Sequence, residues 1–324
     1  MFGKKKSNHN HLGVALDDLL VVLLASNIDV SMDGNILVAQ FEYYKVRVEV
    51  TPPDTRESEH GPIKAIVRVN SELSKPFSEL FVGREVETAA RFNLYAALGA
   101  INIHHGKVSI GSRLTIYEAE NTWETQHLSL LIFAVLGGTE AILGGIRRAF
   151  SEIAPVGGES KWSIKDFQTV HEYLSKICVC NEGEMGLTAE FGLSDGALSW
   201  MMGHDNTALY EMMADQPHPE LGGGLFCLLQ MPHQISNPEK LREICAQLNN
   251  MEMAGVDLPP HFGAWCEGKV RNPAYVSFLP NALYSVNGIA QIASIWALNR
   301  AHWAKSVLSS MGIVPVDQSG ESQG

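Results

Sequence analysis

Leu16, Leu19, Leu20, Leu23 and Leu24 recur at the three- and four-residue spacing of one helix face, which predicts a helix over 13–27. Asn27, Asp33 and Gly34 break the pattern. NILVAQFEYYKVRVEV follows, and its Lys45-Val46-Arg47-Val48-Glu49-Val50 alternates strictly, as a strand with one buried and one wet face does. The polar run PPDTRESEHGP (52–62) reads as a loop, and IKAIVRVNSEL resumes strand character. Helical spacing returns from Glu85 to Ile103, HHGKVSIGSRLTIYEAE reads as two short strands, and residues 125–150 as a long helix. The order is helix, three strands, helix, two strands, helix.

After a Pro/Gly-rich joint, IAPVGGESKWS (153–163), the order returns. DFQTVHEYLSKI is an amphipathic helix, GLTAEFGL opens the strands, ALYEMMA alternates, and GGGLFCLLQM is a near-continuous apolar strand. In NPEKLREICAQLNNMEM, Asn237 is placed as a helix N-cap with Pro238 at the first helical position. FGAWCEGKVRNPAYVSFLPNALYS supplies a strand pair: Ala264 to Cys266, a turn over Gly268–Pro273, and a return from Ala274 to Leu279 that Pro280 ends. Ile289, Ile292, Ile295, Trp296, Trp303 and Leu308 then mark a last helix. The expected class is α+β, in two tandem copies. Their bounds are a polar tail 1–12, an N-terminal domain 13–152, a linker 153–164, a C-terminal domain 165–313 and a disordered tail 314–324.

NLYAALGAINIHHGKVSIGSRLTIYEAE (93–120) in the first half and LNNMEMAGVDLPPHFGAWCEGKVRNPAYVSFLPNALYS (248–285) in the second carry a resemblance to the type III secretion chaperone-like fold, including the YbjN-type sensory-transduction regulators. The resemblance covers roughly 13–150 and 165–312 and lies in pattern, not in fixed chemistry. It implies a non-enzymatic, protein-binding and often dimeric role of chaperone or regulator type, with no catalytic residues to transfer. A homodimer and an internal pseudo-dimer are both open arrangements. This chain departs from the pattern by its tandem fusion, its 52–62 loop and its PHPELGGG turn.

Lys plus Arg number 24 against 36 Asp plus Glu, a net charge of −12 that repels phosphate backbones, so no nucleic-acid partner is expected. Five cysteines and a polar first dozen residues predict reduced thiols and a cytoplasmic location. LSLLIFAVLGGTEAILGG (128–145) is apolar, but Thr139, Glu140, Arg147 and Arg148 favour a buried helix over a membrane span.

Candidate chemistry is sparse. A cysteine nucleophile needs a base, and His261, five residues before Cys266, falls on the opposite strand face. Trp265 and Tyr284 are expected to pack with their polar tips at a rim, and Asn281 to fix the turn into the last helix. Adjacent His104 and His105 are expected to point apart and to chelate nothing, and Cys178-Val-Cys180 lacks a second ligand pair, so no metal and no cofactor are expected. The alternative to a protein-binding role is a small-ligand binder or enzyme using the Gly-rich 217–224 turn. It draws on His218, Gly222 and Gly223, with Trp265, Asn281 and Tyr284 as further partner- or ligand-binding candidates.

Overall fold

The computed structural model describes residues 16–53, 58, 61–118, 123–149, 154–193, 206–269 and 271–315. The expected tail 1–12, the expected tail 314–324 beyond Pro315, parts of the 52–62 loop and Ile153 of the joint lie outside them. The chain is α+β, with two six-stranded antiparallel sheets. Helix α1 (Asp17–Ala25) leads into β1 (Asp29–Asp33), β2 (Ile36–Gln40), β3 (Tyr44–Thr51) and β4 (Ile63–Leu73). Next come a short α2 (Lys75–Ser78), α3 (Glu85–Phe92), β5 (Ala100–His104), β6 (Lys107–Tyr117) and the long α4 (Trp123–Ala149). The second half runs α5 (Ile164–Leu174), β7 (Val179–Gly183), β8 (Gly186–Gly192), β9 (Thr207–Met213), β10 (Gly224–Gln230), α6 (Pro238–Ala254), β11 (Ala264–Cys266), β12 (Ala274–Pro280) and α7 (Ile289–Ser310). The sheet orders are β1-β2-β3-β4-β6-β5 and β7-β8-β9-β10-β12-β11.

Two expectations need correction. Four strands, not three, precede the middle helix. Gly34 at φ 58° closes a tight hairpin between β1 and β2, whereas the sequence pattern makes Asn27, Asp33 and Gly34 a break before the first of three strands. The helix expected over 85–103 ends at Phe92, passes through a 3-10 turn at Asn93–Tyr95, and gives way to β5. Leu98 and Ile101 are buried on both readings, because a short apolar run buried on all sides carries no usable period.

Alternation does place β3: Tyr44, Val46, Val48 and Val50 are buried while Lys45 and Arg47 are exposed. This inner face shares one apolar core with Leu16, with Leu19 and Leu23 of α1 and with Leu131, Val135 and Ile142 of α4. Helix α4 is long and apolar enough to cross a membrane, and 72% of its most apolar window is buried inside the structure. Asn237 caps α6 as expected, its Oδ1 accepting from the amides of Glu239 and Lys240.

Most of the buried apolar side chains of both halves form one continuous cluster, and a smaller one lies around Ala96, Ala100 and Cys266. At the seam, edge strands β5 and β11 face helix α6, which satisfies both with adjacent asparagines. Asn249 Oδ1 accepts from Trp265 N at 2.8 Å and its Nδ2 donates to Trp265 O at 3.0 Å. Asn250 does the same across the seam, with Ile103 N at 3.1 Å and Ile103 O at 2.7 Å. Asn93 completes the set on Ile101, accepting from its N at 2.7 Å and donating to its O at 3.4 Å. Since β5 pairs with β6 through its alternate residues, Ile101 and Ile103 carry the backbone groups of its free edge. Side-chain amides thus occupy the positions a further strand would take.

Asn250→Ala leaves the Ile103 amide and carbonyl without their partners and is expected to cost about 1–3 kcal/mol in urea unfolding. The exposed Ser306→Ala should stay within about 0.5 kcal/mol of the parent chain.

Candidate functional site

Five of the six candidate residues from the sequence surround the linker, and Trp265 lies elsewhere. His218 is buried, its Nε2 3.0 Å from Tyr95 O, while its Nδ1 accepts from the amides of Glu220 and Leu221. His218 and Gly222 exchange backbone bonds, and Val156 N donates to Pro219 O at 2.7 Å. Gly222 and Gly223 lie so close under Gly157 and Glu159 that side chains there would collide with linker backbone. Asn281 reaches back 120 residues instead of fixing its own turn: Oδ1 accepts from Lys161 N and Nδ2 donates to Glu159 O. Tyr284 is half-exposed and meets Trp162 edge-on at 5.4 Å. The Gly-rich turn therefore engages the segment joining the halves.

Trp265 corrects a second expectation. It is wholly buried, with no tip at a rim, and its Nε1 donates to Glu252 Oε2 at 2.9 Å. Glu252, one α6 turn past Asn249 and fully buried, is the hub of an ionic knot. Arg300 of α7 donates from Nε to Oε1 at 2.7 Å, and His261 Nδ1 lies 3.4 Å from Oε2. The Arg300 guanidinium also sits 3.8 Å over the Tyr275 ring, a cation–π contact in a dry setting. From the other half, Arg113 of β6 threads into the seam. Its Nε donates to Glu252 O at 2.9 Å, and its Nη2 donates to Leu258 O and Pro259 O. Its Nη1 donates to Thr115 Oγ1.

The electrostatics follow from this wiring. Burial pushes the Glu252 carboxyl up, but Arg300 and then His261 more than offset it and hold it at about 2. Burial lowers Arg113 to about 10 against the opposing pull of Glu252. Burial also lowers His261, again opposed by Glu252. None of these groups was singled out in the sequence except His261. The available signal was two asparagines and a glutamate on the apolar side of a helix, where neither belongs.

Cys266 lies with Ala264, Ala274 and Val276 on the outer face of the second sheet, clustered with Ala96 and Ala100 of the first half, and burial pushes its thiol up to about 12. The strand thus turns Cys266 away from the knot that holds His261 and Trp265. Cys178 and Cys180 are half-buried on either side of exposed Val179, as alternation requires, and burial raises both thiols, to about 12 and about 11. Among the described residues no three His, Cys, Asp or Glu side chains could hold a metal ion. His104 and His105, expected to point apart, have ring centroids 4.2 Å apart, because His105 at φ 49° has left the strand for the hairpin turn.

Beside the seam, the outer face of the first sheet floors an open groove of about 920 Å³. Its floor is Arg47, Asn70, Glu72, Asn102 and Ser109. One wall is the end of α6 with Met253, and the other is the stretch from Ser78 to Glu85. Arg47 is paired with Glu49 at 3.3 Å, and Arg68 donates to Thr51 Oγ1 at 3.1 Å.

No protein-family model, curated protein or solved structure matches the chain.

Glu252→Gln strips Arg300 of its counter-charge and is expected to cost about 3–5 kcal/mol in urea unfolding at neutral pH. Acid adds a separate effect through His233, which is buried with neither ring nitrogen partnered among the described residues and is lowered by burial to about 4. The folded chain keeps this ring neutral while the unfolded chain takes up a proton below about 6.5. Its contribution is therefore whole above that pH and lost as pH falls towards 4, by about 3 kcal/mol in all. Urea titrations across that range should show the step, and His233→Leu should flatten it.

Proposed function

We propose that this chain is a non-enzymatic interaction protein of chaperone or regulator type, built as two tandem α+β units, 13–152 and 165–313, that pair within one polypeptide as two protomers of a homodimer would. The observation that carries this reading is a reciprocal pair of backbone bonds across the seam. His261 N donates to Arg113 O at 2.8 Å, and Phe278 N donates to Ala97 O at 3.1 Å. Ala100 pairs with Gly111 in one sheet, and Ala264 with Val276 in the other. Counted from those pairs, Arg113 and Phe278 each lie two residues further along the return strand. Ala97 and His261 each lie three residues before the first strand's pairing residue. The same two positions thus meet in both bonds with the halves exchanged, as in an isologous contact, while both amide donors come from the second half.

The clamped residues obey the same correspondence, since Ile101, held by Asn93, and Trp265, held by Asn249, each follow the pairing residue of their strand by one. The sheet orders also correspond strand for strand. These repeated positions support the resemblance to the chaperone-like and YbjN-type fold, whose role is protein binding. The polar groups at the seam are engaged in joining the halves, and the groove of the first sheet is the broad concave surface left open beside them.

Affinity capture of the intact chain from native extract, with quantitative mass spectrometry, should recover a protein partner in stoichiometric amount. Recovery of none across several extraction conditions would remove this reading.

A further inference from the structure

We propose that the groove on the first sheet takes a lysine side chain from an extended segment of the partner protein, its ammonium seated on the row Glu72–Ser109–Asn102. This rests on the protein-binding reading and gives it a place and a chemistry. The three residues are cross-strand neighbours, Glu72 opposite Ser109 and Ser109 opposite Asn102, and all three line the groove. Together they present a carboxylate, a hydroxyl and an amide oxygen, which are acceptors suited to the three donors of an ammonium.

Two observations separate this row from an ordinary solvated face. Asn102 is only 5% exposed, and its Nδ2 is committed to Ala100 O at 2.9 Å, yet its Oδ1 has no donor among the described residues. A buried acceptor left this way carries an uncompensated desolvation cost, which a donor arriving through the groove would return. Second, the other charges of the lining, Lys107 apart, are already engaged. Glu49 has Arg47, Glu85 Oε1 accepts from Gly83 N, Glu79 has Lys75 at 3.6 Å, and Arg68 has Thr51. Glu72 makes no ion pair among the described residues, and the lining carries four glutamates against two arginines and one lysine.

Gly111 keeps this floor open. A Cβ there would stand 2.9 Å from Asn70 Oδ1, 3.0 Å from Met253 Cε and 3.1 Å from Asn102 Nδ2. The net charge of −12 favours a basic partner over an acidic one at every approach.

The test uses the intact chain on an array of short synthetic peptides that carry lysine, acetyl-lysine, glutamate or alanine at one central position. Free lysine serves as a competitor. Lysine peptides should be retained, and acetylation or Glu72→Gln should each weaken binding about tenfold. Glu72→Lys should abolish it. Glu72 lies outside the core, so an unchanged melting temperature separates lost binding from lost fold. Equal retention of lysine and acetyl-lysine peptides, or binding indifferent to Glu72→Gln, overturns the proposal. So does capture of the same stoichiometric partner by parent and Glu72→Gln chains, which would leave the protein-binding reading standing without this groove. Full competition by free lysine alone, with no preference for peptides, would also overturn it, in favour of a small-molecule site.

Discussion

A sheet has two edges, and in this chain the inner edge of each is brought up against the other half. An unpaired strand edge buried at such a seam strands its amides and carbonyls away from water, and each lost pairing costs free energy on the scale of a whole hydrogen bond. The seam meets that cost with asparagine amides. Asn93 and Asn250 occupy the free edge of β5, and Asn249 occupies that of β11. A side-chain amide matches a peptide group donor for acceptor, so each asparagine ends the sheet as a strand would while adding no new edge. Because Asn249 and Asn250 are consecutive on α6, the helix can serve both edges only if it lies between them. The placement of the two sheets follows from that.

The ionic knot sits one turn further along the same helix, and its order of events is governed by desolvation. Burying Glu252, Arg300 and Arg113 is unfavourable for each taken singly, and what holds the group together is the completeness of its wiring. Glu252 has a partner for each carboxylate oxygen, and Arg300 adds the Tyr275 ring beneath its guanidinium. Arg113 spends its donors on carbonyls at and beyond the end of α6, where helix dipole and unpaired carbonyls favour a cation. The fit is directional, so the knot specifies how the halves meet more than it adds to their stability.

Local pattern made much of this legible. Alternation in Lys45–Val50, the cap at Asn237 and the strand pair around Trp265 were readable because each depends on neighbours in sequence. What escaped depends on residues far apart. Asn281 was read as bonding its own turn, yet its partners lie in the linker. Trp265 was given a place at a rim, because nothing nearby indicates a carboxylate on the preceding helix that would take its indole N–H into the core. Ile103 was assigned to a helix, because the Asn250 amide that ends its strand lies 147 residues away. The groove was invisible for a similar reason. Glu72, Ser109 and Asn102 come from three strands, and only the register of β4, β6 and β5 sets them in a row.

If the halves descend from one unit, their outer faces have parted company in a way the register makes explicit. The place of Asn70 beside Gly111 is taken in the second sheet by Leu228 beside Val276, and that of Arg113 by Phe278. The row Glu72–Ser109–Asn102 becomes Gln230–Ala274–Cys266, which has lost the carboxylate, the hydroxyl and the amide. Cys266, Ala274 and Val276 instead close over Ala96 and Ala100 of the first half, so the second face is used up in holding the seam. In a symmetric dimer both faces would have to do the same work. On that descent a single chain is free of the restriction: one outer face can become apolar mortar while the other keeps its polar floor open.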